Sequence, residues 1–262
     1  MGGIGGEDAV LYAERDGVAT VTLNRPSKKN AFNAAQYDGV RKALDLADES
    51  SVRAVVIKGA DGAFSAGADI TEWANPPVFD DGEEHGFVPF ALRLASFEKP
   101  LIASVDGVAV GIGVTMLFHC DFVLATPESR FRTPFVSLGV LPEAGSSLLG
   151  LRLLGRQDAM NLLVRGAWLS AEEASAAGLV WKVVGRDRLE AEVNAIASDF
   201  AALPLRQLRI AKQLLMQSES DLLSAALERE MAAGASIAGS PENREAISAF
   251  LEKRKADFSQ FD

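Results

Sequence analysis

Apolar positions along the first 188 residues come in short runs that alternate with helical patterns. Ala9–Leu23 (AVLYAERDGVATVTL) is rich in β-formers and broken at Asp16-Gly17, which predicts a hairpin. Asn33 reads as an N-cap, and a helical pattern follows to about Asp48. Val52–Lys58 (VRAVVIK) and Leu101–Val105 are apolar throughout, as expected of strands buried on both faces. Gly59–Gly67 predicts a turn and Ala68–Trp73 the start of a helix. Asn75–Gly86 predicts an acidic, mobile loop, and Phe87–Phe97 an amphipathic helix ended by Lys99-Pro100. Asp121–Ala125, a piece near Phe131 and Leu179–Val184 predict further strands. Ser147–Leu154 and Gln157–Arg165 predict helices, and Ser170 with Glu173 forms a capping box. From Leu189 the texture is helical only: Leu189–Leu203, Leu205–Met216, Asp221–Ala235 and Pro241–Lys255. The expectation is an α/β core over residues 1–188 and a helical segment over 189–262.

The stretch Val105–Gly145 carries the candidate chemistry. A strand and a glycine turn lead into an all-apolar helix at Gly111–Phe118, and a later loop carries one carboxylate, Glu143, amid apolar and small residues. A turn entering a helix leaves backbone N–H groups without partners. A lone acid among apolar neighbours is a candidate base. If both face one cavity, a proton-transfer site results.

Composition narrows the field. The formal net charge of −10 and pI near 4.8 argue against nucleic acid or an anionic membrane as partner. A single cysteine, Cys120, excludes an internal disulfide and suits a reducing compartment. With His85 and His119 far apart, no metal site is expected. MGGIGGEDAV reads as a flexible lead-in rather than a signal peptide, and SQFD is not a Ser-Lys-Leu address, so a cytoplasmic protein is expected. Gly107–Gly113 fails the dinucleotide spacing, because Met116 stands where the third glycine belongs. Gly145-Ser146-Ser147 is no nucleophile elbow. His119 reads as a helix-end histidine, His85 as a solvated loop residue and Asp69 as a backbone brace.

In order along the chain, Asn24-Arg25-Pro26, Asn30-Ala31-Phe32-Asn33, Phe64-Ser65-Ala66-Gly67-Ala68-Asp69-Ile70, Val105-Asp106-Gly107 leading to Gly111-Ile112-Gly113, and Cys120-Asp121 resemble the crotonase (enoyl-CoA hydratase/isomerase) superfamily. The resemblance implies a spiral of ββα units with a C-terminal helical part for trimer assembly, hence a homotrimer or dimer of trimers. It implies an acyl-CoA substrate, no cofactor beyond its coenzyme A moiety, and an oxyanion hole from the backbone N–H groups of Ala68 and Ile112. It places CoA and substrate along Lys28, Lys29, Ala31, Ala66, Gly67, Asp69, Ile70 and Gly111, with Phe135 as an apolar wall and Phe250 and Lys253 reaching CoA from the last helix. Trp73 and the apolar positions of Phe79–Phe90 either line an acyl tunnel or belong to the core.

Hydratases of this superfamily use two glutamates, and at the matching positions stand Thr115 and Phe135. Thr133-Pro134-Phe135, Leu141-Pro142-Glu143-Ala144-Gly145 and Ser146-Ser147 instead resemble Δ3,Δ2-enoyl-CoA isomerases of the peroxisomal type, in which one glutamate shuttles the proton. The expected reaction is conversion of a 3-enoyl-CoA to the trans-2-enoyl-CoA, as in fatty-acid β-oxidation. The rivals are an enoyl-CoA hydratase and a non-catalytic acyl-CoA-binding protein, and the latter has no need of Glu143.

Overall fold

The computed structural model describes residues 2–4, 8–74, 77–79 and 82–261, the side chains of Trp73 and Ala74 excepted. The predicted tunnel role of Trp73 and part of the predicted 75–86 loop therefore lie outside the described residues. Strands β1 (Gly2–Ile4), β2 (Val10–Arg15) and β3 (Val18–Leu23) precede helix α1 (Ala34–Glu49), and β4 (Ala54–Gly59) precedes α2 (Ile70–Ala74) and α3 (Phe87–Ala95). Then come β5 (Leu101–Val105), β6 (Val108–Val110), α4 (Ile112–Thr115), β7 (Phe122–Ala125), β8 (Arg130–Arg132) and α5 (Ser146–Ala159). The chain continues through β9 (Leu169–Ser170), α6 (Ala171–Ala176), β10 (Lys182–Val183), α7 (Arg186–Ala201), α8 (Leu205–Ile237) and α9 (Pro241–Leu251).

A seven-stranded sheet runs β1-β2-β3-β4-β5-β7-β10, and β6-β8-β9 form a second sheet. The pairs from β3 to β10 are parallel. Alternate residues serve two cores. Val55, Ile57, Leu101, Ala103, Val123 and Ala125 face the large cluster that includes α1 and α3. Ala54, Val56, Ile102 and Leu124 face Leu189, Val193 and Ala197 of α7. Burial on both faces is why these strands read as unbroken apolar runs. The first helix of the helical segment therefore packs on the sheet itself.

The structure corrects several expectations. Gly2–Ile4 is no free lead-in but pairs antiparallel with Val10–Tyr12. The strand expected over Leu179–Val184 shortens to Lys182–Val183. The two helices expected over 205–216 and 221–235 are one helix of 33 residues. Its Gln217-Ser218-Glu219-Ser220 stretch is polar but holds no Gly or Pro, so nothing stops helix propagation. Gly155 does break α5, with φ 72°. Asn33 caps α1 by accepting from the Gln36 N–H, and the Ser170–Glu173 capping box is present.

The loops after β3, β4 and β5 meet at the carboxyl ends of the parallel strands, where open α/β sheets place their ligands. Asn30 ties the first two together. Fully buried, with φ 56°, it accepts from the Arg25 N–H and donates to the Ala60 and Ala63 carbonyls. Its own carbonyl accepts from Ser65 Oγ and Gln36 Nε2. Asn tolerates this left-handed conformation better than most residues. Asn30→Ala leaves buried carbonyls unpaired, and denaturant melts should show a loss on the order of 3 kcal/mol.

Candidate active site

The Ala68 segment is held as an extended bridge. The Phe32 N–H donates to the Gly67 carbonyl at 2.7 Å, and the Asp69 N–H donates to the Phe32 carbonyl at 2.8 Å. Asp69 braces the corner. It accepts from Arg25 Nη2 at 3.0 Å and from the Thr71 hydroxyl and N–H. Burial raises its proton affinity, but Thr71 and Arg25 outweigh this and hold the carboxyl below the usual range. A base is the opposite of what these bonds make.

The second segment is the glycine turn. The Gly111 N–H donates to the Arg132 carbonyl, and Gly111, at φ 52°, enters α4. The two segments touch. A Cβ on Gly111 would lie 3.7 Å from the Gly67 Cα, and a Cβ on Gly67 only 3.0 Å from the Val110 carbonyl oxygen. Gly67 also has φ 94°, so both its conformation and its space call for glycine. Among the described residues, the N–H groups of Ala68 and Ile112 find no acceptor in the chain. Ala68 is half-buried, and Ile112 is buried at the start of α4.

Glu143 lies in the wall of a cavity of about 640 Å³. The other walls are mostly apolar: Phe87, Val88, Ala91 and Leu92 of α3, Leu227 and Met231 of α8, and Ile247 of α9. Glu230 and Arg244 are the other charged residues in it. Glu143 is only partly covered by area, because it opens to the cavity. Its surroundings are nevertheless poor in water, and this desolvation, with the Glu230 carboxylate second, pushes its pKa up to about 8. Its loop is tightly formed. Ala144 (φ 56°) and Gly145 (φ 75°) are both left-handed, the Ser146 N–H donates to the Glu143 carbonyl, and the His119 ring meets the Ala144 carbonyl at 2.7 Å. Burial pushes the His119 pKa down to about 4, so the neutral ring donates its Nε2–H there. This bears out the helix-end reading of His119.

Tyr37 packs against Phe32, the bridge partner of the Ala68 segment. Its buried ring packs on Phe32 at 4.9 Å between centroids, and on Phe87 and Phe90. Burial pushes its phenol pKa up, and the Glu143 and Glu72 carboxylates add to that. Ala68 and Ile112 are not themselves among the residues lining the cavity.

The remaining expected residues scatter. Lys28 and Lys29 are exposed, with the Lys29 carbonyl accepting from the Ala66 N–H. Ala31 is buried and binds Arg25 Nη1 through its carbonyl, while Ala66 and Ile70 are half-buried. Phe135 is buried in the large core and does not line the cavity. Phe250 and Lys253 are exposed at and beyond the end of α9. Of the Phe79–Phe90 positions, Phe87 and Val88 line the cavity, Phe90 is core, and Phe79 stacks on His85 at 3.9 Å. His85 is not a solvated loop residue. Its Nδ1 lies 2.6 Å from Asp38 Oδ2, and only 11% of its side chain is exposed. Thr115 is fully buried, with no partner for its Oγ1 among the described residues. Tyr37 and Glu230 escaped the sequence reading. Each is an ordinary residue in a helical pattern, and only the fold brings it to Glu143.

The raised pKa couples Glu143 to stability. An unfolded glutamate releases its proton near pH 4.3, whereas the folded chain keeps it up to about pH 8. The contribution is intact below the unfolded value and is lost as pH rises through the folded one. Glu143→Gln should match wild type at pH 5 and exceed it at pH 9, by on the order of 4 kcal/mol. Denaturant melts at the two pH values check this, and parallel pH curves would contradict it.

A family profile described as Enoyl-CoA hydratase/isomerase matches residues 13–261. The chain thus belongs to the enoyl-CoA hydratase/isomerase family of acyl-CoA enzymes. It is 35% identical over 254 residues to a probable enoyl-CoA hydratase of Rhizobium meliloti, covering 96% of this chain and 98% of that protein. It is 36% identical over 225 residues to enoyl-CoA delta isomerase 2 of Rattus norvegicus, covering 84% of this chain and 58% of that protein. The crystal structure of an enoyl-CoA hydratase/isomerase from Pseudoalteromonas atlantica superposes with a TM-score of 0.91 at 34% identity, covering 96% of this chain and all of that one. The mixed α/β core with its helical end is therefore the crotonase fold expected from the sequence. Relatives carry both hydratase and isomerase names. No helix among the described residues is long and apolar enough to cross a membrane.

Proposed function

We propose that this enzyme shifts the double bond of a 3-enoyl-CoA to give the trans-2-enoyl-CoA. The observation that carries the reading is the acid inventory. One shielded carboxylate of raised proton affinity, Glu143, faces an apolar cavity, while Thr115 and Phe135 stand where the resemblance puts the hydratase acid pair. Hydration needs one group to activate water and another to supply a proton. Allylic isomerisation needs a single group that takes a proton and returns it.

In this reading Glu143 removes the proton from C2, and the electron pair moves into a dienolate. The charge on the thioester oxygen rests on the N–H groups of Ala68 and Ile112, which find no acceptor among the described residues. The carboxyl, now protonated, delivers its proton to C4, and the conjugated thioester forms. A base of raised pKa is the stronger proton acceptor at carbon. Proton transfer of this kind requires no cofactor beyond the coenzyme A of the substrate. Lys28, Lys29, Ala31, Ala66, Gly67, Asp69, Ile70 and Gly111 form the proposed CoA and thioester track. Exposed Ile210, Leu214, Leu215 and Leu222 on α8 fit burial between copies in a homotrimer or dimer of trimers, where Phe250 and Lys253 of a second copy could reach CoA.

The mechanism is tested with 3-hexenoyl-CoA deuterated at C2. The expected product is the conjugated 2-enoyl thioester with part of the label at C4. Turnover with the label lost wholly to water would count against a single shuttle, and absence of the conjugated product would sink the assignment.

A further inference from the structure

Helix α5 begins without a cap of its own. Its N-cap is Gly145, which has no side chain, and no side-chain hydrogen bond comes from that position. The missing partner arrives from α8. Glu230 Oε2 accepts from the Gly145 N–H at 2.6 Å, and Oε1 accepts from the Ser147 N–H at 2.8 Å. Both carboxylate oxygens are thus engaged by the N-terminal end of a helix, two and four residues beyond Glu143. The same Glu230 lines the cavity that Glu143 faces.

We infer that Glu230 is a positioning residue for the proposed proton transfer: it pins the Glu143 loop to α8 and holds its own carboxylate in the cavity that Glu143 faces. This rests on the reading of Glu143 as the base.

Three observations support it. The left-handed pair Ala144–Gly145 must be held from both sides, and it is: His119 holds the Ala144 carbonyl and Glu230 the Gly145 N–H. The two carboxylates are unequal, since Glu230 accepts two N–H bonds while Glu143 accepts none from the described chain. The Glu230 carboxylate is also the second cause, after desolvation, of the raised Glu143 pKa. The other ionisable neighbours do not reverse this. Tyr37 on α1 stays a neutral phenol, Glu72 on α2 is a further anion, and His119 is neutral. Lys212, lower on α8, pairs with Asp121, and Arg244 on α9 is exposed in the cavity wall. Helix α3 contributes only apolar groups to the cavity.

The test is Glu230→Gln, which keeps one acceptor oxygen and removes the charge. The titration of Glu143 is followed through its carboxyl carbon by NMR, with Glu143→Gln assigning the signal, alongside kcat/KM against pH on 3-hexenoyl-CoA. The expected result is a fall of about one pH unit in the Glu143 midpoint and in the acid limb of the kinetic profile, together with a lower plateau kcat from a weaker base. A purely structural cap would lower the melting temperature and leave the Glu143 midpoint in place, which overturns the inference. Activity that survives Glu143→Gln would instead refute Glu143 as base, while the carboxyl titration still reads the pair. Should Glu230→Gln not fold, the amide protons of wild-type Gly145 and Ser147 decide. They are expected to be protected from solvent exchange by their bonds to Glu230, and exchange at the rate of an uncapped helix N-terminus overturns the inference.

Discussion

Glu143→Gln should bind acyl-CoA with little change in KM and lose kcat for 3-enoyl-CoA isomerisation by on the order of 10³. The amide matches the size of the carboxyl and fills the same place in the cavity wall, but it cannot accept the C2 proton. The loss should fall on kcat because the proton moves only on the way to the transition state, whereas the apolar cavity and the proposed CoA track are untouched. The same substitution removes a buried charge, so a dead enzyme should also be the more stable one at alkaline pH. That pairing is diagnostic. A surface glutamate would change neither property, and a structural one would lower stability rather than raise it. Steady-state kinetics and denaturant melts on one protein preparation read both.

Gly67→Ala should cost on the order of 10²–10³ in kcat while the chain still folds. Gly67 is held at φ 94°, with the Val110 carbonyl oxygen 3.0 Å from where a Cβ would sit. The added methyl forces either the 66–68 segment or the β6 end to give way. Either movement turns the Ala68 N–H relative to the Ile112 N–H, and an oxyanion needs both donors aimed at one point. Because the proposed donors are main-chain, no side-chain change at Ala68 itself would make the same test. Circular dichroism should show retained structure, with a modest drop in melting temperature. Unchanged kcat in a folded Gly67→Ala protein would mean that the Ala68 N–H does not stabilise the developing charge.

What was legible in the sequence was local. Buried strands announced themselves because both faces of Ala54–Gly59 and Leu101–Val105 are covered, which leaves no polar alternation. Asn33 and Ser170 announced helix starts because a capping side chain acts within three residues. The lone carboxylate in the 141–145 loop stood out for its apolar neighbours. What was not legible was non-local. The Glu230 bond to Gly145 spans 85 positions, and the His85 contact with Asp38 spans 47, so neither leaves a trace in spacing. The continuity of α8 is hidden because the polar Gln217–Ser220 stretch interrupts the apolar pattern without a Gly or Pro to stop the helix. Strand β9 spans two residues, too few for a period to show. Phe135 was expected to face the substrate on the strength of resemblance alone. Its side chain packs in the large core, and Thr115 is likewise buried.

The most direct measurement of the central claim is a pair of rates from one purified sample: conversion of 3-hexenoyl-CoA to the conjugated thioester, and hydration of crotonyl-CoA. With Glu143 as the sole acid for the chemistry, isomerisation should be fast, hydration slow or absent, and isomerisation should vanish in Glu143→Gln. Rapid hydration of crotonyl-CoA that survives Glu143→Gln would contradict it.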